Sequence, residues 1–312
     1  MITGYLSSLY SLGDSEGIEM KIGIVGPGAI GLLFAFYLKK NKQDVTLFTR
    51  TVEQTEKLMQ EGISCIRKGR KETVFPNVTP LESIVGEQMD YTFIAVKQYH
   101  LANILPFIKE QRQIIFLQNG MSHLDILHEI KCENVAVGIV EHGAKKENEY
   151  TVHHTGVGVT KFGVVNGDWS QFGALLDCFS SKYFSVQVEE DWKQTMSYKL
   201  VINACINPLT ALFGIQNGEL LSNPFFYKVM EQIFQEVMFL VGEEKKEEMW
   251  QLVCHVCETT SSNTSSMLAD VKENRETEID AIIGYAIEEA RKQRKQVPTL
   301  QFLYNSIKGL EV

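Results

Sequence analysis

Short, nearly continuous apolar runs bounded by polar turns fill the first part of the chain. In the second part, apolar positions recur every three or four residues. Lys21-Ile-Gly-Ile-Val25, Asp44-Val-Thr-Leu-Phe-Thr-Arg50, Tyr91-Thr-Phe-Ile-Ala-Val96, Ile114-Ile-Phe-Leu-Gln118 and Val135 to Val140 have strand length and few polar positions. That is how parallel strands covered on both faces read. Leu32 to Leu38 between the first two suits a helix. A hairpin is expected around His153-His154-Thr155-Gly156, and a last strand ends near Val188. From Asp191 the helical period takes over to Leu310, with breaks at Asn207-Pro208 and Asn217-Gly218. Thr277 can cap a helix whose apolar positions are Ile279, Ile282, Ile283, Ala286, Ile287 and Ala290. The pattern predicts an α/β protein: an N-terminal Rossmann-type, doubly wound, mostly parallel sheet over residues 20–189, then an all-helical C-terminal domain over 190–312.

The first strand runs into Gly26-Pro27-Gly28-Ala29-Ile30-Gly31 and then into the helix, so a G-x-G-x-x-G motif sits in its strand-turn-helix setting. The first glycine makes the tight turn, the second admits a pyrophosphate to the backbone, and the third lets the helix pack on the sheet. The helix N-terminus adds amide donors for phosphates. Where an acid would grip the ribose of NAD, the end of the second strand carries Arg50, nineteen residues after Gly31. A guanidinium suits a 2′-phosphate that a carboxylate would repel, which favours NADP. Lys97 and Asn119 also fall at carboxyl ends of strands, the edge where open parallel sheets bind ligands. A solvated strand-end charge is the alternative for Lys97, and turn chemistry that for Asn119-Gly120; the shared edge is what groups them. His142 follows another strand end, but with no visible partner it reads as a packed residue.

Lys199, Asn203 and Asn207 lie four apart in an otherwise apolar run. On a helix they share a face within roughly 80°. One cation and two amides on one wall suit a small substrate with a carbonyl and a carboxylate, because an ammonium can protonate one oxygen while amides bond the others. Backbone-satisfied buried asparagines are the alternative. Pro208 disfavours helix at Asn207, so a kink is expected there.

Composition narrows the classes. The 312 residues are 44% hydrophobic and 22% charged, globular values with room for two domains. The longest apolar stretch, Ala29 to Leu38, is far below the ~18 residues of a membrane span. A net charge of −9 offers no basic field for nucleic acid or an anionic membrane. Six scattered cysteines read as reduced thiols of a cytoplasmic protein. Cys254 and Cys257 form a lone C-x-x-C better explained by one helical turn than by zinc, so no metal is expected. Residues 1–19 lack the positive segment of a signal peptide and are expected to be a tag or non-native extension, with Met20 the natural start.

Taken together, these motifs resemble the ketopantoate reductase family from about Lys21 to Leu310. The resemblance is carried by Gly26 to Gly31, Ala95-Val-Lys97, Leu117-Gln-Asn119-Gly-Met121, Tyr198-Lys199 through Asn207-Pro-Leu-Thr-Ala211, Asn217-Gly-Glu-Leu220, Ser265-Ser-Met-Leu268 and Thr277-Glu278. It implies NADPH-dependent reduction of ketopantoate, with Lys199 as general acid and Asn203, Asn207, Asn217 and Ser266 on the 2-oxo acid. It implies cofactor contacts for Lys97, Asn119, Ala144 and Glu278, with Asn119 also reaching substrate. Locally, Glu278 reads equally as a helix-dipole carboxylate and the two serines as caps. Beside a buried lysine, Glu278 would keep the acid charged. Ser122 departs from the family, where another glycine is common. Either a monomer or a homodimer fits. The competing readings are a reductase of another branched 2-oxo acid and a non-catalytic NADP sensor, which would need no proton donor.

Overall fold

The computed structural model describes residues 19–311 apart from Lys131 and Ser180. The extension expected at 1–19 therefore lies, except for Glu19, outside the described residues. The strands are β1 (Lys21–Val25), β2 (Asp44–Thr49), β3 (Ile63–Arg67), β4 (Arg70–Val74), β5 (Asn77–Pro80), β6 (Tyr91–Ile94), β7 (Gln113–Phe116), β8 (Asn134–Val140), β9 (Gly143–Lys146), β10 (Thr151–Gly156), β11 (Val159–Asn166) and β12 (Ser185–Val188). Eight form one sheet in the order β12-β11-β8-β7-β6-β1-β2-β5. From β8 to β5 every neighbour is parallel, whereas β11 is antiparallel to β8 and parallel to β12. From β1 the chain builds outward on one side through β2 and β5 and then crosses to β6 on the other side, so the carboxyl ends of β1 and β6 open a crevice at a topological switch point.

Alternation across the sheet explains why its runs are apolar throughout. Ile94, Phe116, Val137 and Ile139 join one core with the helical part, while Phe93, Ile115, Leu117 and Ala136 join a second core on the opposite face. Helices α1 (Ala29–Lys40), α2 (Val52–Glu61) and α3 (Leu101–Ile108) belong to this half. α1 covers the second core and α3 the first.

A second sheet, β4-β3-β10-β9, was not foreseen. The hairpin expected at His153 to Gly156 is displaced: those residues belong to β10, which pairs antiparallel with β9, so the turn lies at residues 147–150.

The helical part contains α4 (Trp192–Phe213), α5 (Glu219–Ser222), α6 (Pro224–Val237), α7 (Lys246–Thr259), α8 (Ser266–Lys272), α9 (Tyr285–Lys292) and α10 (Pro298–Leu310). Asp191 caps α4 by accepting from the Gln194 N–H, and Gly214, at φ +68°, ends it. No break occurs at Asn207, because α4 runs on through Pro208 with both residues buried. Packing against α6, α7, α8 and α10 outweighs the lost hydrogen bond. Cys254 and Cys257 lie on α7, as the helical reading of their spacing expects. A π-helical turn, Asp280–Gly284, precedes α9, and the Thr277 hydroxyl accepts from the Ile279 N–H at 3.1 Å as the expected cap.

His123 is completely buried, and neither ring nitrogen has a hydrogen-bond partner among the described residues. Burial pushes it down to about 4, with Glu278 opposing. The unfolded chain titrates near 6.5 and so binds the extra proton first as pH falls. Stability should therefore be highest above about 6.5, fall toward about 4, and lose no more from this group below that. His123→Phe should spare about 2 kcal/mol of the loss between pH 7 and pH 5. Urea unfolding at both pH values checks this; an equal loss in parent and variant refutes it.

Candidate functional site

The turn after β1 has the shape a pyrophosphate needs. Gly26 sits at φ +103°, and a Cβ there would come within 2.7 Å of Val96 Cγ1. At Gly31 a Cβ would lie 1.9 Å from the Gly26 carbonyl oxygen, which fixes how closely α1 can approach β1. A Cβ on Gly28 would meet nothing nearer than Ala95 O at 3.7 Å, so the mouth of the turn is open. Gly28 is also the N-cap of α1, where no side chain caps the helix and its first turn holds no acid. Uncapped amides beside an open glycine are what a diphosphate fits. Pro27 is buried, while Ala29 and Ile30 are half-buried. Arg50 is exposed just past β2 and lies near enough to His100 to help burial lower that imidazole. Ala144 is half-buried on β9, beyond the end of β8.

On the same edge, Lys97 follows β6 and Asn119 follows β7. Gln118 ties the two strand ends together, its Nε2 donating to Ile94 O and Val96 O at 2.9 Å each. Gly120, at φ +76°, lets the next loop press on the π-helical turn, since a Cβ would lie 2.2 Å from Ala281 O. That approach brings Asn119 to Glu278, with Nδ2 donating to Oε2 at 3.1 Å. Glu278 Oε2 is also 3.3 Å from Lys97 Nζ, and Lys97 donates to Asp270 Oδ2 at 3.1 Å. Burial alone would lower the Lys97 amine, but Glu278 and Asp270 outweigh it and hold that amine above its usual value. Arg275 Nε donates to the remaining Asp270 oxygen at 3.1 Å.

Lys199 reaches this edge from α4. Its Nζ donates to Val140 O, at the carboxyl end of β8, at 2.6 Å. A narrow cleft opens there, lined by Gln118, Asn119, Gly120, Ile139, Met196 and Lys199 among others. Burial lowers the lysine to about 8, with Glu141 and then Glu278 opposing and Lys161 reinforcing. Near neutral pH the amine is therefore largely an ammonium, and a stronger acid than an exposed lysine.

The structure thus brings Lys97, Asn119, Glu278 and Lys199 to one edge. It does not form the direct Lys199–Glu278 pair that the sequence suggested, because Glu278 is taken by Lys97 and Asn119 and acts on Lys199 only from a distance. Asn203 is half-buried and Asn207 buried on the face of α4 that carries Lys199. Asn217 is buried, its Nδ2 donating to Thr260 Oγ1 at 2.8 Å while Oδ1 has no partner among the described residues. Of the two serines, Ser265 is the buried cap of α8 and Ser266 is exposed at its first turn. Asp270 was missed; the available signal was a lone acid among Met267, Leu268, Ala269 and Val271, a polar break in an apolar stretch of helix. Glu141 was passed over too, although it directly follows a strand end.

Comparison with known proteins gives this chain both a family and a shared fold. The family model described as ketopantoate reductase PanE/ApbA matches residues 22–167, and that of its C-terminal part matches residues 191–311. A 2-dehydropantoate 2-reductase of Bacillus subtilis is 39% identical over 94% of this chain and 98% of its own. One from Listeria innocua is 36% identical over 94% and 97%. The crystal structure of a probable 2-dehydropantoate 2-reductase from Bacillus subtilis superposes with a TM-score of 0.84 at 38% identity, covering 94% of this chain and 100% of that one.

Proposed function

The chain belongs to the ketopantoate reductase family, and we propose that it reduces 2-dehydropantoate to pantoate with NADPH, using Lys199 as the proton donor. The observation that carries this reading is the Lys199 amine, held at the ligand-binding edge of the sheet and lowered to about 8.

The open glycine turn, the uncapped start of α1 and Arg50 fit a dinucleotide with a 2′-phosphate. Gly26 to Gly31 would hold its diphosphate, Arg50 the phosphate on the ribose, and Lys97, Asn119, Ala144 and Glu278 the part nearer the cleft. Bound NADPH supplies a hydride to the ketone carbon. The ketone oxygen then gathers negative charge, and an alkoxide is too strong a base to persist at pH 7. Lys199 Nζ meets that charge with a positive one and gives the oxygen its proton. Asn203 and Asn207 extend from the same helix face to orient the substrate, Asn217 offers an acceptor that has no partner among the described residues, and Ser266 can donate to the carboxylate. Glu278 keeps Lys97 and Asn119 in place and supports the charge on Lys199 at longer range.

Residues 20–189 act as the cofactor unit and 190–312 as the substrate unit, and the protein works as a monomer or homodimer. No described helix is long and apolar enough to cross a membrane, and the six cysteines are free. Reduced thiols suit a cytoplasmic setting, and membership of the family supports a place in pantothenate and coenzyme A synthesis.

The test is loss of absorbance at the reduced-nicotinamide band with ketopantoate, comparing NADPH and NADH. NADPH should be clearly preferred, and Arg50→Ala should weaken NADPH by about 10-fold or more while sparing NADH, the usual weight of a charge-assisted hydrogen bond. No turnover of ketopantoate would overturn the substrate, and equal weakening of both cofactors the role of Arg50.

A further inference from the structure

We propose that the Glu141–Lys161 ion pair is a positioning element of the reaction, in which Glu141 holds Lys199 in its proton-donating form and Lys161 limits that hold. The inference rests on the reading of Lys199 as the acid. Glu141 directly follows Val140, whose carbonyl accepts from Lys199 Nζ at 2.6 Å. Its place is fixed from two sides: its N–H donates to Val159 O at 2.9 Å, and its Oε1 lies 2.9 Å from Lys161 Nζ. Lys161 sits on β11 opposite Ile139, a residue of the cleft wall. A carboxylate and an ammonium thus stand together at the strand end against which the Lys199 amine rests.

The other surroundings leave this pair as the adjustable element. From the helical part the charge facing Lys199 is Glu278, already engaged by Lys97. After β7, Gln118, Asn119 and Gly120 carry no charge, and His123 beyond them is kept neutral by burial. Within one turn of Lys199 on α4, Thr195, Met196, Ile202 and Asn203 are uncharged. Burial is the largest influence on Lys199; Glu141 is the strongest charge opposing it, ahead of Glu278, and Lys161 acts in the opposite sense to both carboxylates.

That opposition of sign separates an electrostatic role from a merely structural one. Removing either partner of a structural bridge breaks the same contact and moves activity the same way. Removing either partner here moves the titration of Lys199 in opposite directions. The experiment is kcat against pH with saturating NADPH and ketopantoate for the parent, Glu141→Gln, Lys161→Gln and Lys199→Ala, with thermal melting to confirm folding. Because the donor must be protonated, the parental kcat should decline as pH rises past about 8. In Glu141→Gln the decline should begin about half to one pH unit lower, and in Lys161→Gln it should begin higher by a smaller step. Both variants declining where the parent does, or both shifting the same way, overturns the inference. Lys199→Ala tells the two failures apart. If it keeps the parental kcat, the acid assignment itself fails; if it is inactive while the decline ignores Glu141, only the ion-pair role fails.

Discussion

Lys199→Ala should lower kcat for ketopantoate by on the order of 10² to 10⁴, the usual weight of a positioned general acid. The loss should fall on the chemical step. Lys199 is carried by α4 and rests on the end of β8, whereas the glycine turn follows β1, so NADPH should still bind in a direct fluorescence titration. Solvent water can replace the proton donor only poorly, because it brings no fixed positive charge to the oxygen as the hydride arrives. A variant that turned over ketopantoate at the parental rate would remove Lys199 from the mechanism. One that lost NADPH binding equally would make it a structural residue.

Gly31→Ala should weaken NADPH by on the order of 10²-fold, without any change to a charged group. A methyl group placed 1.9 Å from the Gly26 carbonyl oxygen cannot be relieved by rotating a side chain, because the obstacle is backbone. Either α1 withdraws from the sheet or the turn rearranges. Both move the amides at the start of α1 away from the phosphates. If the relaxed turn must return to its native geometry to bind, NADPH binding has to overcome the overpacking it relieved, about 1–3 kcal/mol, and every 1.4 kcal/mol is tenfold in affinity. The check is a titration of NADPH fluorescence alongside a denaturation curve. Unchanged affinity in a folded variant would show that the helix start does not bear on the cofactor.

The parallel strands of the main sheet were legible because burial on both faces leaves no room for polar positions. β1, β2, β6, β7 and β8 therefore stand out as apolar runs, and the glycine turn identifies itself by its place between β1 and α1. The second sheet had no such signal. β4 reads Arg70-Lys-Glu-Thr-Val74 and is largely exposed, and β9 is Gly143-Ala-Lys-Lys146. What makes them strands is pairing with β3 and β10, which local pattern does not encode. At Pro208 the local rule pointed to a break, and the packing of α4 overrode it.

The site was legible as a set of residues and less so as a set of contacts. Helical spacing grouped Lys199, Asn203 and Asn207, and strand ends grouped Lys97 and Asn119. Spacing along the chain does not decide which cation a distant carboxylate meets. Glu278 was expected beside Lys199 and instead meets Lys97 from the end of β6 and Asn119 from the loop after β7, which Gly120 lets close onto the π-helical turn that follows Glu278. Asp270 and Glu141 were missed for the same reason. Each is an ordinary acid until the fold places a lysine next to it or near it.

The Lys199 amine projects from the same helix whose Leu200, Val201, Ala204 and Cys205 are almost wholly enclosed. Reactivity and architecture are therefore written in one stretch of backbone. The hydrocarbon residues of that stretch, which never meet the ketone, aim the proton as surely as the groups that do, and neither set can drift in composition independently of the other.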